Sequence, residues 1–125
     1  MNKSLESKAV SIKGKKYVLV SDRVLFFNET FKEGCISTDL LSAPDAKHIV
    51  VKATIYPEGI NGRFFNGLSQ AVIGEGMVNK TAALENAETS AVGRGLAMMG
   101  IGVIESIASA DEMAKSFKAT NDDIL

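Results

Sequence analysis

The residues best equipped to do chemistry in this chain are cations set beside aromatic rings. The run KGKKY gathers Lys13, Lys15 and Lys16 around Gly14, with Tyr17 directly after them. A second stretch, KATIY, holds Lys52 and Tyr56, and further cations stand at Arg23, Arg63, Lys80 and Arg94. Lysine and arginine neutralise phosphates and flat rings stack on bases, so such a set is the equipment of a single-strand nucleic-acid binder, which needs no catalytic group. Each part also has a plainer reading. A lysine-flanked turn is a common solvated surface, Lys52 and Tyr56 would sit equally well on a wet sheet face, and Arg94 would pair with a carboxylate such as Glu88.

Other chemistry finds little to work with. His48 is the single histidine and no second His or Cys stands at ligand spacing, so neither a metal nor another cofactor is expected. The nearest glycine cluster, IGEGM, lacks the Gly-Lys-Ser/Thr end that grips a nucleotide, and no serine sits in a nucleophile elbow. The chain reads as a non-enzyme. Cys35 is the only cysteine, which excludes an internal disulfide, fits a reducing compartment and is expected to be a small buried hydrophobe. The opening MNKSLESKAV has no apolar signal core, and no run approaches the roughly 18 apolar residues of a membrane span, so a cytoplasmic location is expected.

Charge is divided unevenly along the chain. Lys and Arg outnumber Asp and Glu by 11 to 8 over residues 1–80, and are outnumbered 3 to 7 over residues 81–125. A mildly basic body joined to an acidic tail is compatible with a polyanion partner, and a solvated surface would look similar.

The elements that must position these residues follow from periodicity. VSIKGKKYVLV alternates around Gly14 and predicts a short hairpin. SDRVLFFNETFKEG predicts a helix, with Ser21 as N-cap, Val24, Phe27 and Phe31 at helical spacing and Gly34 as the stop. CISTDLL and KHIVVKATIY predict strands joined by a turn at Pro44 and Asp45. The second of them alternates, with Ile49, Val51, Ala53 and Ile55 on one face and His48, Lys52, Thr54 and Tyr56 on the other. Asn61-Gly62 signals a hairpin into a third strand, RFFNGLSQAVI, on which only one of the adjacent Phe64 and Phe65 can face the core. The other is left for stacking or for a subunit contact.

A helix from about Thr81 to Met99 then puts Leu84, Ala87, Ala91, Gly95, Met98 and Met99 on one stripe. Its small residues let it lie close to the sheet, which makes Gly95 a packing glycine. Gly93 falls on the opposite side, where a neighbouring subunit, a ligand backbone or simple surface tolerance would explain it. Ser109 with Glu112 forms a capping box for a last helix through Met113 and Phe117. The expected fold is α+β, one domain over residues 1–118. It consists of a three- to five-stranded antiparallel sheet with two helices packed on one face and a short C-terminal helix, before an acidic tail at 119–125.

This order of elements resembles the single-strand annealing proteins of recombination, a superfamily that includes the eukaryotic annealing mediator of double-strand-break repair and phage essential-recombination-function proteins. The resemblance covers residues 13 to about 112. It is carried by Lys16, Tyr17 and Val18, by Arg23 in the first helix, and by the spacing of Asn79, Thr81, Leu84, Thr89, Ala91 and Arg94. ALENAETSAVGRGLAMMGIG followed by IASADEM is similar to small phage proteins of this group. The resemblance implies binding and annealing of single-stranded DNA by a ring or filament of subunits. Lys13, Lys15, Lys16, Tyr17, Arg23, Lys52, Tyr56, Arg63, Lys80 and Arg94 are the candidate contacts. If the strand lay between the sheet edge and the long helix, Lys52, Arg94 and the KGKK lysines would share that groove. Of the several basic residues that larger annealing proteins carry late in this helix, only Arg94 has a counterpart. The end of the chain, Asp122, Asp123, Ile124 and Leu125, resembles the acidic tip with which bacterial-type single-stranded DNA-binding proteins recruit replication and repair partners; a solvated end is the plainer reading. Two other roles stay open, a strand-protecting hub acting through that tip and an assembly protein that binds no DNA.

Overall fold

The computed structural model describes residues 3–43, 45–73 and 82–104. In chain order the elements are α1 (Lys3–Glu6), β1 (Val10–Ile12), β2 (Lys15–Tyr17), α2 (Val20–Thr30), β3 (Cys35–Leu40), β4 (His48–Tyr56), β5 (Phe65–Val72) and α3 (Ala83–Met98). The fold is α+β, and its five strands form two antiparallel sheets, β1-β2 and β3-β4-β5. The predicted last helix with Ser109, Glu112, Met113 and Phe117, together with Lys80 and the tip residues Asp122, Asp123, Ile124 and Leu125, lies outside the described residues.

The hairpin forms as predicted. Ile12 pairs with Lys15 across a two-residue turn in which Lys13 and Gly14 have φ of 51° and 79°. Positive φ at both central positions gives the turn the twist of the strands it joins.

Helix α2 starts one residue before its expected cap. Leu19, in extended backbone, takes the cap position without a side-chain bond, so Ser21 lies inside the first turn and caps nothing. The hairpin ends at Tyr17 and Val18 must be buried, which leaves only Leu19 for the change of direction. Phe27 on this helix is fully buried and stacks on Phe31 at 5.2 Å between ring centroids. Gly34 does more than end the segment, since a Cβ there would stand 2.7 Å from the Phe27 ring.

In the larger sheet β4 is the middle strand. Ile36 and Phe65 flank Ile55, and Leu40 and Ser69 flank Val51. The alternation read on β4 holds, with Ile49, Val51, Ala53 and Ile55 all buried. Between β4 and β5 the connection is wider than an Asn-Gly turn. Pro57 cannot donate to a ladder and ends β4 at once, so Asn61 and Gly62 fall inside a loop over residues 57–64.

Helix α3 lies on the inner face of this sheet along the line Ala83, Ala87, Ala91 and Gly95. Four residues exceed the 3.6 of one turn, so the line drifts by about 40° per step. Leu84 is left off one flank and Met98 off the other, and both are exposed rather than buried in the stripe. The sheet answers with Gly67, Ser69 and Ala71. A Cβ on Gly67 would collide with the backbone of α3 at Ala91, Arg94 and Gly95, and one on Gly95 would stand 2.9 Å from Ile55.

Gly93 points away from the sheet, as the periodicity requires, yet it is buried. Helix α2 covers that side, and a Cβ on Gly93 would stand 2.8 Å from Val20. Packing within the fold therefore accounts for Gly93, and neither a subunit nor a ligand is needed.

Ser69 is the exception to a satisfied seam. Its Oγ is buried and has no hydrogen-bond partner among the described residues. An unpaired buried hydroxyl opposes folding by about 1–3 kcal/mol, so Ser69→Ala is expected to raise the urea midpoint without changing the slope of the transition. A lower midpoint would show that this hydroxyl has a partner after all.

Candidate nucleic-acid interface

Because α3 covers the inner face, side chains of opposite parity form a helix-free outer face among the described residues. Strand pairing arranges them in rows about 7 Å apart, two residues of strand rise. Cys35 stands opposite Tyr56, and Phe64 approaches Tyr56 from the far side with ring centroids 6.0 Å apart. Ser37, Thr54 and Asn66 make the next row, and Asp39, Lys52 and Leu68 the one after. Beyond them Val50 pairs with Gln70 and His48 with Val72.

The first row is an aromatic shelf. Tyr56 is half-buried and Phe64 is 55% exposed, while its neighbour Phe65 turns inward among the core side chains. Lys52 supplies a cation two rows away, and Asp39, directly across from it, competes for that charge. Cys35 is half-buried at the rim of the shelf instead of sealed in the core.

The other sequence candidates are distributed differently. Arg63 is exposed, with its guanidinium carbon 4.7 Å from the centre of the Phe65 ring. Lys13, Lys15 and Lys16 are exposed on the hairpin, a separate sheet from the one that carries Lys52. Arg94 is half-buried on α3 and starts from the opposite side of the sheet to Lys52. A groove between sheet edge and helix lined by both is therefore not what the topology builds. Glu88, a possible partner for Arg94, accepts a 2.7 Å hydrogen bond from Thr38.

Tyr17 and Arg23 are withdrawn from the surface altogether. Arg23 is 2% exposed and spends its donors inside the fold: Nε donates to the Val18 carbonyl at 3.0 Å, Nη1 to the Gly93 carbonyl at 2.9 Å and Nη2 to the Tyr17 hydroxyl at 2.9 Å. Its stem passes where Gly102, at φ 77°, has no side chain. The guanidinium thus ties hairpin, α2 and α3 together, and neither residue is presented to a polymer.

Ser37, Asn66 and Gln70 were not among the candidates. Their parity on β3 and β5 is readable, but the place of Ser37 and Asn66 in the row next to Tyr56, and of Gln70 across from Val50, depends on strand register, which a single sequence does not display. Among the described residues no group of His, Cys, Asp and Glu could hold a metal ion, and no helix is long and apolar enough to cross a membrane.

No curated protein sequence and no solved structure matches the chain. A protein-family model does, over residues 26–99 and so over more than half of the chain. The match runs from within α2, through the three strands, to one residue past α3, and the chain therefore belongs to the family described as Slr1353 N-terminal dsRNA-binding domain-like.

Proposed function

We propose that this domain binds single-stranded nucleic acid on the outer face of its three-stranded sheet, and that it promotes annealing of complementary DNA strands without acting as a catalyst. The family description supports a nucleic-acid partner. One observation favours a single strand over a duplex, the Tyr56–Phe64 shelf on a face that no helix covers among the described residues. Bases stacked inside a duplex cannot reach an aromatic side chain, and duplex RNA is recognised mainly by shape, phosphates and 2′-hydroxyls. A shelf one row wide takes one base, Lys52 meets the backbone, and neighbouring bases stay free to pair. In this reading Phe64 serves the ligand rather than a neighbouring subunit.

Fluorescence anisotropy with an oligothymidylate, a duplex DNA and a duplex RNA tests the reading. Tyr56→Ala is expected to weaken single-strand binding by roughly fivefold to a hundredfold, since stacking on an aromatic contributes about 1–3 kcal/mol per base. Lys52→Ala should reduce the dependence of log affinity on log salt by about 0.7, the effect of one phosphate on a single strand. Tyr56→Phe retains the ring and should retain the binding. Duplex RNA bound in preference to the single strand, with no effect of Tyr56→Ala, would replace this reading with a duplex-binding one.

A further inference from the structure

The row beside the aromatic shelf is polar and internally ordered. Thr54 lies on the outer face of the middle strand yet is only 5% exposed, with Tyr56 and Lys52 two residues to either side and Ser37 and Asn66 across from it. Its hydroxyl donates to the Asn66 Oδ1 at 3.1 Å. An asparagine amide has one carbonyl acceptor and two N–H donors. With one carbonyl lone pair engaged by Thr54 and the amide thereby oriented, the exposed Asn66 presents its NH2, which has no protein acceptor among the described residues. Turning the amide over would deprive the Thr54 hydroxyl proton of its acceptor in a site with little access to water. Thr54 therefore fixes Asn66 as a donor.

From this arrangement we infer that Asn66 reads the edge of the base on the Tyr56–Phe64 shelf and selects keto bases over amino bases. Thymine, uracil and guanine carry a carbonyl acceptor at the 4- or 6-position, where cytosine and adenine carry an amino donor. An N–H donor meets a partner in the first group and another donor in the second. An unrestrained asparagine would turn both its groups onto adenine, whereas the Thr54 bond takes one of the two carbonyl lone pairs and fixes the rotation of the amide, which disfavours that fit. The inference rests on the single-strand reading above and adds to it a base preference and the residues that set it.

Competition between an oligothymidylate and an oligocytidylate tests it, because both are single-ring pyrimidines that differ on the 4-position edge, with an oligodeoxyuridylate, which keeps that edge and lacks the 5-methyl group of thymine, as the control for the methyl contact. The wild-type protein should favour thymidylate about three- to tenfold, the contribution of one hydrogen bond to a neutral partner. Thr54→Val keeps the shape and removes the hydroxyl, and should bring the ratio close to one. Asn66→Asp offers only acceptors on an exposed residue, so it leaves the fold intact and should reverse the preference towards cytidylate. Tyr56→Ala should weaken both oligonucleotides alike. Binding that needs Tyr56 but ranks the two equally, or a thymidylate preference that survives Asn66→Asp, overturns the base-reading role and leaves the single-strand reading standing. Absence of single-strand binding overturns both.

Discussion

Gly67→Ala is expected to destabilise the domain by about 3–5 kcal/mol, a large part of the 5–15 kcal/mol that typically holds a domain together. What the new methyl group meets is backbone, the Ala91 carbonyl and the Gly95 amide of α3, so no rotamer change relieves it. The helix itself must lift from the sheet, and contacts along the whole alanine line weaken with it. The melting temperature should fall by roughly 10–20 °C. Gly95→Ala is the informative comparison. Its methyl group meets the side chain of Ile55 at 2.9 Å. A side chain can yield, so the loss should be about 1–2 kcal/mol and should shrink when Ile55 is trimmed to Val. If Gly67→Ala unfolds in urea within 1 kcal/mol of the parent, α3 does not lie as close to β5 as described.

The second large effect is expected at Arg23. Arg23→Leu leaves two carbonyls and a phenol hydroxyl without their donor in a buried site, and each orphaned group costs about 1–3 kcal/mol. A total loss of about 3–5 kcal/mol follows, less than the plain sum because the site relaxes. Arg23→Lys should recover only part of it, since an ammonium cannot reach three acceptors in the plane of a guanidinium. The hairpin should loosen before the rest of the domain, so trypsin should cut after Lys13, Lys15 or Lys16 in the variants at concentrations that spare the parent. A variant with wild-type stability and a protease-resistant hairpin would refute the tie. A folded Arg23→Lys protein should keep its affinity for single-stranded oligonucleotide, because the side chain never reaches the surface.

These two sites mark where the sequence was legible and where it was not. The strict alternation of β4 exposes its parity directly, and the small residues Ala87, Ala91 and Gly95 announce a close-packed helix. Both features are local, and both appear in the fold. Gly67 is equally decisive, but a glycine in a strand reads as a weak point until the helix it accommodates is in place. Arg23 and Tyr17 carry the same residue types as a phosphate clamp. The burial of Arg23 depends on the Gly93 carbonyl, 70 positions away, accepting its hydrogen bond and on Gly102, 79 positions away, leaving room for its stem, and Tyr17 is bonded to that same guanidinium. The shared groove for Lys52 and Arg94 did not form for a related reason. Each residue was placed on a plausible face of its own element, but which face of the sheet α3 covers is decided by the inward small residues of β5. At the shelf, adjacency of Phe64 and Phe65 guaranteed that one ring would be left outside, and only the register showed that it stands beside Tyr56.

The same alanine and glycine line has a consequence for how the domain responds to temperature. Its core falls into two clusters: Ile49, Val51, Ala53 and Ala71 against the alanines of α3, and Leu5, Val18, Phe27, Ile55, Leu96 and Ile101 at the other end. The first exposes little apolar surface per residue when it opens, and so carries a small share of the heat capacity of unfolding; the second carries a large one. Hydrophobic stabilisation with a large heat-capacity increment fades on cooling, whereas close dispersion contact between backbones varies much less with temperature. The Phe27 end, which backs the aromatic shelf through Ile55 and Phe65, is therefore the part that cold weakens first, while the alanine seam under Ile49 and Val51 holds its geometry over a broader range of temperature.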